Sequence, residues 1–134
     1  MKDVIVTVEM TGNNYSAYIA SLPGCVTTGK SMDELKTNMK DAIEGHIEVS
    51  REFGDTIPEE FNGDYNLVFR FDVENLLTHY NGIFANSALA KLTGINQRQL
   101  QRYASGKSRP VRLQSIKIQK ALHLLGEELL DIEI

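Results

Sequence analysis

Hydrophobic and polar positions trade places every second residue at the start of the chain. In "DVIVTVEM", residues 3–10, Val4, Val6, Val8 and Met10 fall on one side and Ile5, Thr7 and Glu9 on the other, the spacing of a strand with one better-buried face. "TGNNY" supplies Gly12 and Asn13 for a tight turn, and "YSAYIA" resumes strand spacing, so an antiparallel hairpin is expected. After "SLPGC" a short third strand is expected at "VTTG". The period then lengthens. In "SMDELKTNMKDAIEGHIEVSREF", Leu35, Met39, Ala42, Ile43 and Ile47 recur at helical spacing, with Asp41, Glu44, Glu48 and Glu52 on the outer side. Ser31 and Glu34 stand in capping-box spacing, where hydroxyl and carboxylate satisfy backbone N–H groups that a first helical turn leaves unbonded. "GDTIPEEFNGD" reads as a surface loop, and "NLVFRF", with Leu67, Phe69 and Phe71 alternating with Val68 and Arg70, as a fourth strand. Residues 1–72 thus predict β-β-β-α-β, one sheet layered with one helix.

The period-two pattern does not return. "NSALAKLTGINQRQLQRY", residues 86–103, has Leu89, Ala90, Ile95, Leu100 and Tyr103 at apolar positions around Gly94. Two helices crossing steeply need a small side chain where they touch, here Ala90, and a residue that accepts a left-handed turn between them, here Gly94. Asn96 is placed to cap the second helix. Leu113, Ile116, Ala121, Leu122 and Leu125 read as packing positions of further helices, so residues 73–134 predict an all-α domain and the chain as a whole an α+β protein of two domains.

Charge sharpens that division. The net charge is −4, but residues 1–75 hold six Lys/Arg against fourteen Asp/Glu, a balance of −8, while residues 76–134 hold eight against four, a balance of +4. No acid occurs between Glu74 and Glu127. A basic half suits a polyanion and an acidic half a basic protein, whereas a solvated charged face would have no partner at all. On the second helix, Gln97, Arg98, Gln101 and Arg102 stand at i, i+1, i+4 and i+5 on one outer face. These are base-reading chemistries: arginine forks onto guanine and glutamine bridges adenine in the major groove. Asn86, Ser87, Asn96, Lys107 and Arg109 flank that helix as candidate phosphate contacts. The competing reading is a helical bundle with incidental arginines.

Other side chains carry less. Cys25 is the only cysteine; it has no partner for an internal disulfide and no neighbouring base, which fits a small buried hydrophobe better than a nucleophile. His46 lies between Ile43 and Ile47 with no second His or Cys at metal spacing and reads as a helix residue. Asp3, Glu9, Glu44, Glu48 and Asp72 would have to converge to form a two-metal nuclease site, and scattered acids more often serve solubility. No metal or cofactor is expected. The chain has no apolar run of bilayer length and "MKDVIVTVEM" lacks a signal-peptide cleavage pattern, so the expected location is the cytoplasm, with no membrane partner.

Over residues 3–50, the run from Tyr15 through "LPGCVTTG" to Glu34, Leu35, Asn38, Ala42, Ile43, Glu44 and Ile47 resembles the HicB antitoxin family. The resemblance implies a partial RNase H-like domain that has lost nuclease activity and binds a small basic RNA-cleaving toxin of the HicA type. Residues 73–132 resemble the lambda-repressor and Cro-like helix-turn-helix family, departing from it at Thr93, Tyr103, Ala104 and "GEELL". Together the two imply a non-enzymatic antitoxin that neutralises its toxin and represses its own operon by binding operator DNA. Operator binding by one helix-turn-helix unit is weak, so a homodimer or even-numbered oligomer is expected, paired through the edge beside "NLVFRF" or, preferably, the "LLDIEI" tail and the helix before it. The alternative is a stand-alone transcriptional regulator whose first domain senses a ligand or oligomerises; an RNase H-like nuclease comes third.

Overall fold

Each run of alternating residues in the first half becomes a strand in the computed structural model, which describes all 134 residues, Met1–Ile134. β1 spans Lys2–Thr11, β2 Asn14–Tyr18, β3 Val26–Gly29, α1 Met32–Glu52 and β4 Tyr65–Phe71. The β1–β2 hairpin turns on Gly12 and Asn13, with Thr11 opposite Asn14 and Gly12 at φ +57°. The sheet order is β3-β2-β1-β4, and β4 runs parallel to β1. A parallel neighbour needs a long crossover, here the whole stretch from β2 through α1. Paired residues share a face, so Val4, Val6 and Val8 point the same way as Ala17, Leu67 and Phe69. Onto that face α1 lays Leu35, Met39, Ile43 and Ile47; Ala42 reaches it only half-buried.

The turn "LPGC" has a physical reading in this frame. Cys25 N–H donates to the Leu22 carbonyl at 3.0 Å, with Pro23 and then Gly24 at φ +86° in the middle, the residue order of a type II turn. Its two ends, Leu22 and Cys25, are both buried in the core. Gly29 is a matter of clearance: a Cβ there would lie 2.6 Å from the Leu35 amide nitrogen and 2.8 Å from its Cα. The absence of a side chain lets α1 begin directly above β3. Ser31 caps that start, its hydroxyl accepting from the Glu34 N–H at 3.1 Å, and the Asn38 amide donates to the Thr28 carbonyl at 2.9 Å, tying the helix to the edge strand.

Two expectations change in this half. Strand pairing in "YSAYIA" ends at Tyr18, although Ile19 is still buried. "GDTIPEEFNGD" is not wholly a surface loop, because Glu59–Phe61 forms a 3-10 turn that buries Phe61 in the core and stacks it edge-on against Tyr65 at 5.2 Å. Ile57 of the same stretch also packs, partly buried, against that core.

The chain divides into two compact units, Met1–Asp72 and Val73–Ile134. The second is entirely helical: α2 Val73–His79, a 3-10 turn Tyr80–Gly82, α3 Asn86–Thr93, α4 Gln97–Ala104 and α5 Arg112–Leu130. Leu77, Leu89, Ile95, Leu100, Tyr103 and Ile118 form its core, with Ala90, Ala104 and Leu122 packed partly buried against it. One long helix replaces the several expected after residue 110. Leu113 is 74% exposed, contrary to its expected packing role, and Ile118 is buried in its place. Counting back one helical turn from Ile118 reaches Gln114, not Leu113. Gln114 turns inward, with its Oε1 buried and unbonded. Hydropathy favoured the leucine, but helix phase decides.

Candidate functional site

The arrangement around α4 begins with the turn before it. Gly94 has φ +75°, and its N–H donates to the Ala90 carbonyl at 2.9 Å, closing α3. Thr93 reinforces that closure: its hydroxyl donates to the Leu89 carbonyl at 2.7 Å and accepts from the Ile95 N–H at 3.1 Å. One side chain therefore ties the end of α3 to the residue that starts the next segment. Ile95 buries itself, and Asn96 Oδ1 accepts from the Arg98 N–H at 2.8 Å as the N-cap of α4. Leu100 and Tyr103 anchor the helix from below.

With that side buried, Gln97, Arg98, Gln101 and Arg102 are all exposed on the other. The far end of α4 is equally well held. The Thr78 hydroxyl donates to the Ala104 carbonyl at 3.2 Å, and Ser108 N–H to the Arg102 carbonyl at 3.2 Å. The Gln99 amide reaches the Ser108 hydroxyl at 3.3 Å, folding the following loop back along α4. Lys107 and Arg109, either side of Ser108, are exposed there. The four candidate base-reading residues and these two cations are thus brought to one helix and its loop. Asn96 joins them with its side-chain oxygen already engaged as a cap. Asn86, half-buried, and exposed Ser87 begin α3, and no hydrogen bond links them to the group. Neither Thr93 nor the Gln99–Ser108 pair was anticipated; the signal available was a hydroxyl directly before a turn glycine.

In the first unit, Asp3, Glu9, Glu44, Glu48 and Asp72 are not gathered into a metal site, and no group of three or more His, Cys, Asp or Glu side chains is placed to hold an ion. Asp3 instead accepts from the Asn66 amide at 3.3 Å. Cys25 is buried and free, and burial pushes its thiol above the ordinary range. His46 lies half-buried over the turn, its Cε1 3.8 Å from where a Gly24 Cβ would stand. A groove on this unit is lined by Glu44, Ile47, Glu48, Arg51, Phe61 and Tyr65. Burial, and after it the charge of Glu44, raises the Tyr65 phenol above its usual value. No helix is long and apolar enough to cross a membrane.

A sheet built around the "LPGC" turn and capped by one acidic helix defines a domain class, and comparison with known proteins gives it a family. Residues 4–67 match the family described as HicB-like antitoxin of bacterial toxin-antitoxin systems. A UPF0150 protein of Archaeoglobus fulgidus is 42% identical over 55 residues, which cover 41% of this chain and 80% of that protein. A second UPF0150 protein, from Thermoplasma acidophilum, is 32% identical over 60 residues, 45% of this chain and 87% of its own length. The chain belongs to the HicB-like antitoxin family. That membership supports an antitoxin role with a toxin as partner, and points to a non-catalytic one. The matches cover the first unit alone.

Proposed function

We propose that this protein is a type II antitoxin that neutralises a HicA-type RNA-cleaving toxin through its first unit and represses its own operon through its second. The antitoxin half rests on the family match over residues 4–67. Strand order β3-β2-β1-β4 with β4 parallel to β1 supports a partial RNase H-like fold for that unit. The DNA-binding half rests on one observation: two arginines and two glutamines stand exposed on α4, in a stretch from Asn75 to Gly126 that holds no acid. The α3–Gly94–α4 geometry supports a lambda-repressor-like helix-turn-helix, with domains 1–72 and 73–134 acting on different partners in the cytoplasm. In this reading Gln97, Arg98, Gln101 and Arg102 read bases, while Asn86, Ser87, Asn96, Lys107 and Arg109 contact phosphates. Asn96 then acts mainly through the helix end that it caps.

Repression at a two-half-site operator calls for a homodimer or an even multiple. The preferred surface is the end of α5 and the tail, where Leu124, Leu129, Leu130, Ile132 and Ile134 are exposed, a collection of apolar groups that a second copy would cover.

Gel shifts with the operator region of the protein's own gene test the DNA-binding half. Arg102→Ala is expected to lose about 1–3 kcal/mol on the specific site and to relax base preference there. Lys107→Ala and Arg109→Ala are expected to weaken all duplexes evenly and flatten the salt dependence. If Arg102→Ala binds every duplex as the wild type does, α4 is not the reading helix. Light scattering of the chain with and without residues 129–134 tests the pairing; a full-length monomer would exclude paired half-sites.

A further inference from the structure

The groove on the first unit has a composition that selects its occupant. Its floor is apolar, made by Ile47 near the end of α1, Phe61 of the 3-10 turn and Tyr65 at the start of β4, and Glu44, Glu48 and Arg51 complete the lining. Phe61 is buried and packs edge-on against Tyr65. The acids are exposed, and neither is held in an ion pair. Arg51 lines the groove without closing on either carboxylate.

We propose that this groove seats one lysine or arginine side chain of a basic partner protein, its aliphatic stem on Ile47, Phe61 and Tyr65 and its cationic head against Glu44 and Glu48. The assignment rests on the toxin-binding reading for the identity of the partner, but the chemistry of the groove stands apart from it. Long cationic side chains have an apolar stem and a charged tip, and an apolar floor with carboxylates beside it matches both parts. A purely apolar occupant would leave two carboxylates next to a hydrophobic contact, which is costly. An acidic occupant would face two like charges with one arginine to offset them. Glu44 and Tyr65 line the same groove, and the Tyr65 phenol is raised first by burial and then by the charge of Glu44. The first unit as a whole favours a basic partner, since thirteen of the eighteen Asp/Glu lie within residues 1–72 against six of the fourteen Lys/Arg.

Two experiments separate the groove from the identity of its partner. The first is an NMR titration of the full chain at low salt with N-acetyl-argininamide, with N-acetyl-leucinamide as control. Saturable shifts confined to the amides of residues 44–51 and 61–65, with affinity on the order of 1–10 mM, are expected for the arginine compound alone. Diffuse shifts, none, or equal response to both compounds overturn the proposal. The second is a pull-down and calorimetric titration with the purified product of the adjacent reading frame, using wild type and the double variant Glu44→Gln, Glu48→Gln, whose exposed isosteres leave the fold intact by circular dichroism. A loss of roughly tenfold in affinity for that protein supports the groove. Wild-type affinity in the double variant overturns it while leaving the toxin reading in place. If the adjacent product does not bind at all, the toxin reading fails, and the argininamide titration still decides the groove.

Discussion

The two units solve the same problem, burying enough apolar surface in some sixty to seventy residues, with unequal success. The sheet-and-helix unit encloses twelve buried residues around α1, whereas the helical unit's main cluster has six. The surplus is visible outside: of the exposed large hydrophobic residues, nine lie between Ile83 and Ile134 and six in the first unit. A unit with a smaller core and more exposed leucine has less margin for loss. It also has something to gain from a second copy, which is the physical ground for proposing a dimer contact there.

The largest effect that would expose this asymmetry is a matched pair of core truncations. Leu35 and Leu100 are both fully buried, one in each unit, and Leu→Ala at either is expected to cost about 2–5 kcal/mol. Leu100→Ala should unfold the helical unit and abolish DNA binding while amide spectra of residues 1–72 persist. Leu35→Ala, with a larger core around it, should leave a folded but destabilised first unit in urea titration. Equal loss of structure in both variants would remove the asymmetry.

A second pair concerns glycines that are required for different reasons. Gly29→Ala drives a Cβ into the Leu35 backbone, so α1 must shift from the sheet at a cost of about 1–3 kcal/mol. Gly94→Ala meets nothing within 4 Å and has only the left-handed φ of +75° against it, a cost of about 1 kcal/mol. Thermal unfolding should rank Gly29→Ala as the more damaging; the reverse order would mean that the helix start has slack that the structure does not display.

These glycines also mark how far the sequence could be read. The strands of the first unit, the α1 stripe and the Ser31 cap were legible because each is a local pattern whose period or spacing is itself the physical cause. Gly94 and the exposed face of α4 were legible for the same reason. Phe61 was not, since one aromatic among Pro58, Glu59, Glu60 and Asn62 has no period, and its burial depends on where β4 and α1 happen to leave space. The parallel pairing of β4 is a matter of topology that no residue in "NLVFRF" announces. Leu113 was misplaced because hydropathy and helix phase disagree there, and phase won. Thr93 and Gln99 act through hydrogen bonds to Leu89, Ile95 and Ser108, and such partners become visible only when the backbone is folded. The exposed residues of α4 and its following loop were therefore readable, while what holds them in place was not.

Smaller effects test the caps. Ser31 and Asn96 each accept one backbone N–H at a helix start, and alanine at either is expected to cost about 0.5–2 kcal/mol. The comparison lies in the function lost. Asn96→Ala should lower operator affinity beyond its effect on stability, because the frayed turn carries Gln97 and Arg98; Ser31→Ala should change stability alone. If the two variants reduce DNA binding equally, the α4 turn is not the part that meets DNA.

The smallest effect is confined to the first unit and to alkaline pH. Cys25 ends the "LPGC" turn with its thiol in the core, and burial raises its pKa. The folded state therefore favours the protonated thiol. The stabilisation that this brings is complete below the pKa of an unfolded cysteine, about 8.5, and is lost as pH rises through the higher folded value. Tyr65 is also raised and titrates from a higher ordinary value, so the window above pH 8.5 begins with the thiol. Urea midpoints for wild type and Cys25→Ala should differ most near neutral pH and converge as pH rises, and iodoacetamide should label Cys25 readily only in urea. A gap that widens with pH, or rapid labelling of the native protein, would mean that the thiol reaches solvent and that the turn is not the closed structure its two buried ends require.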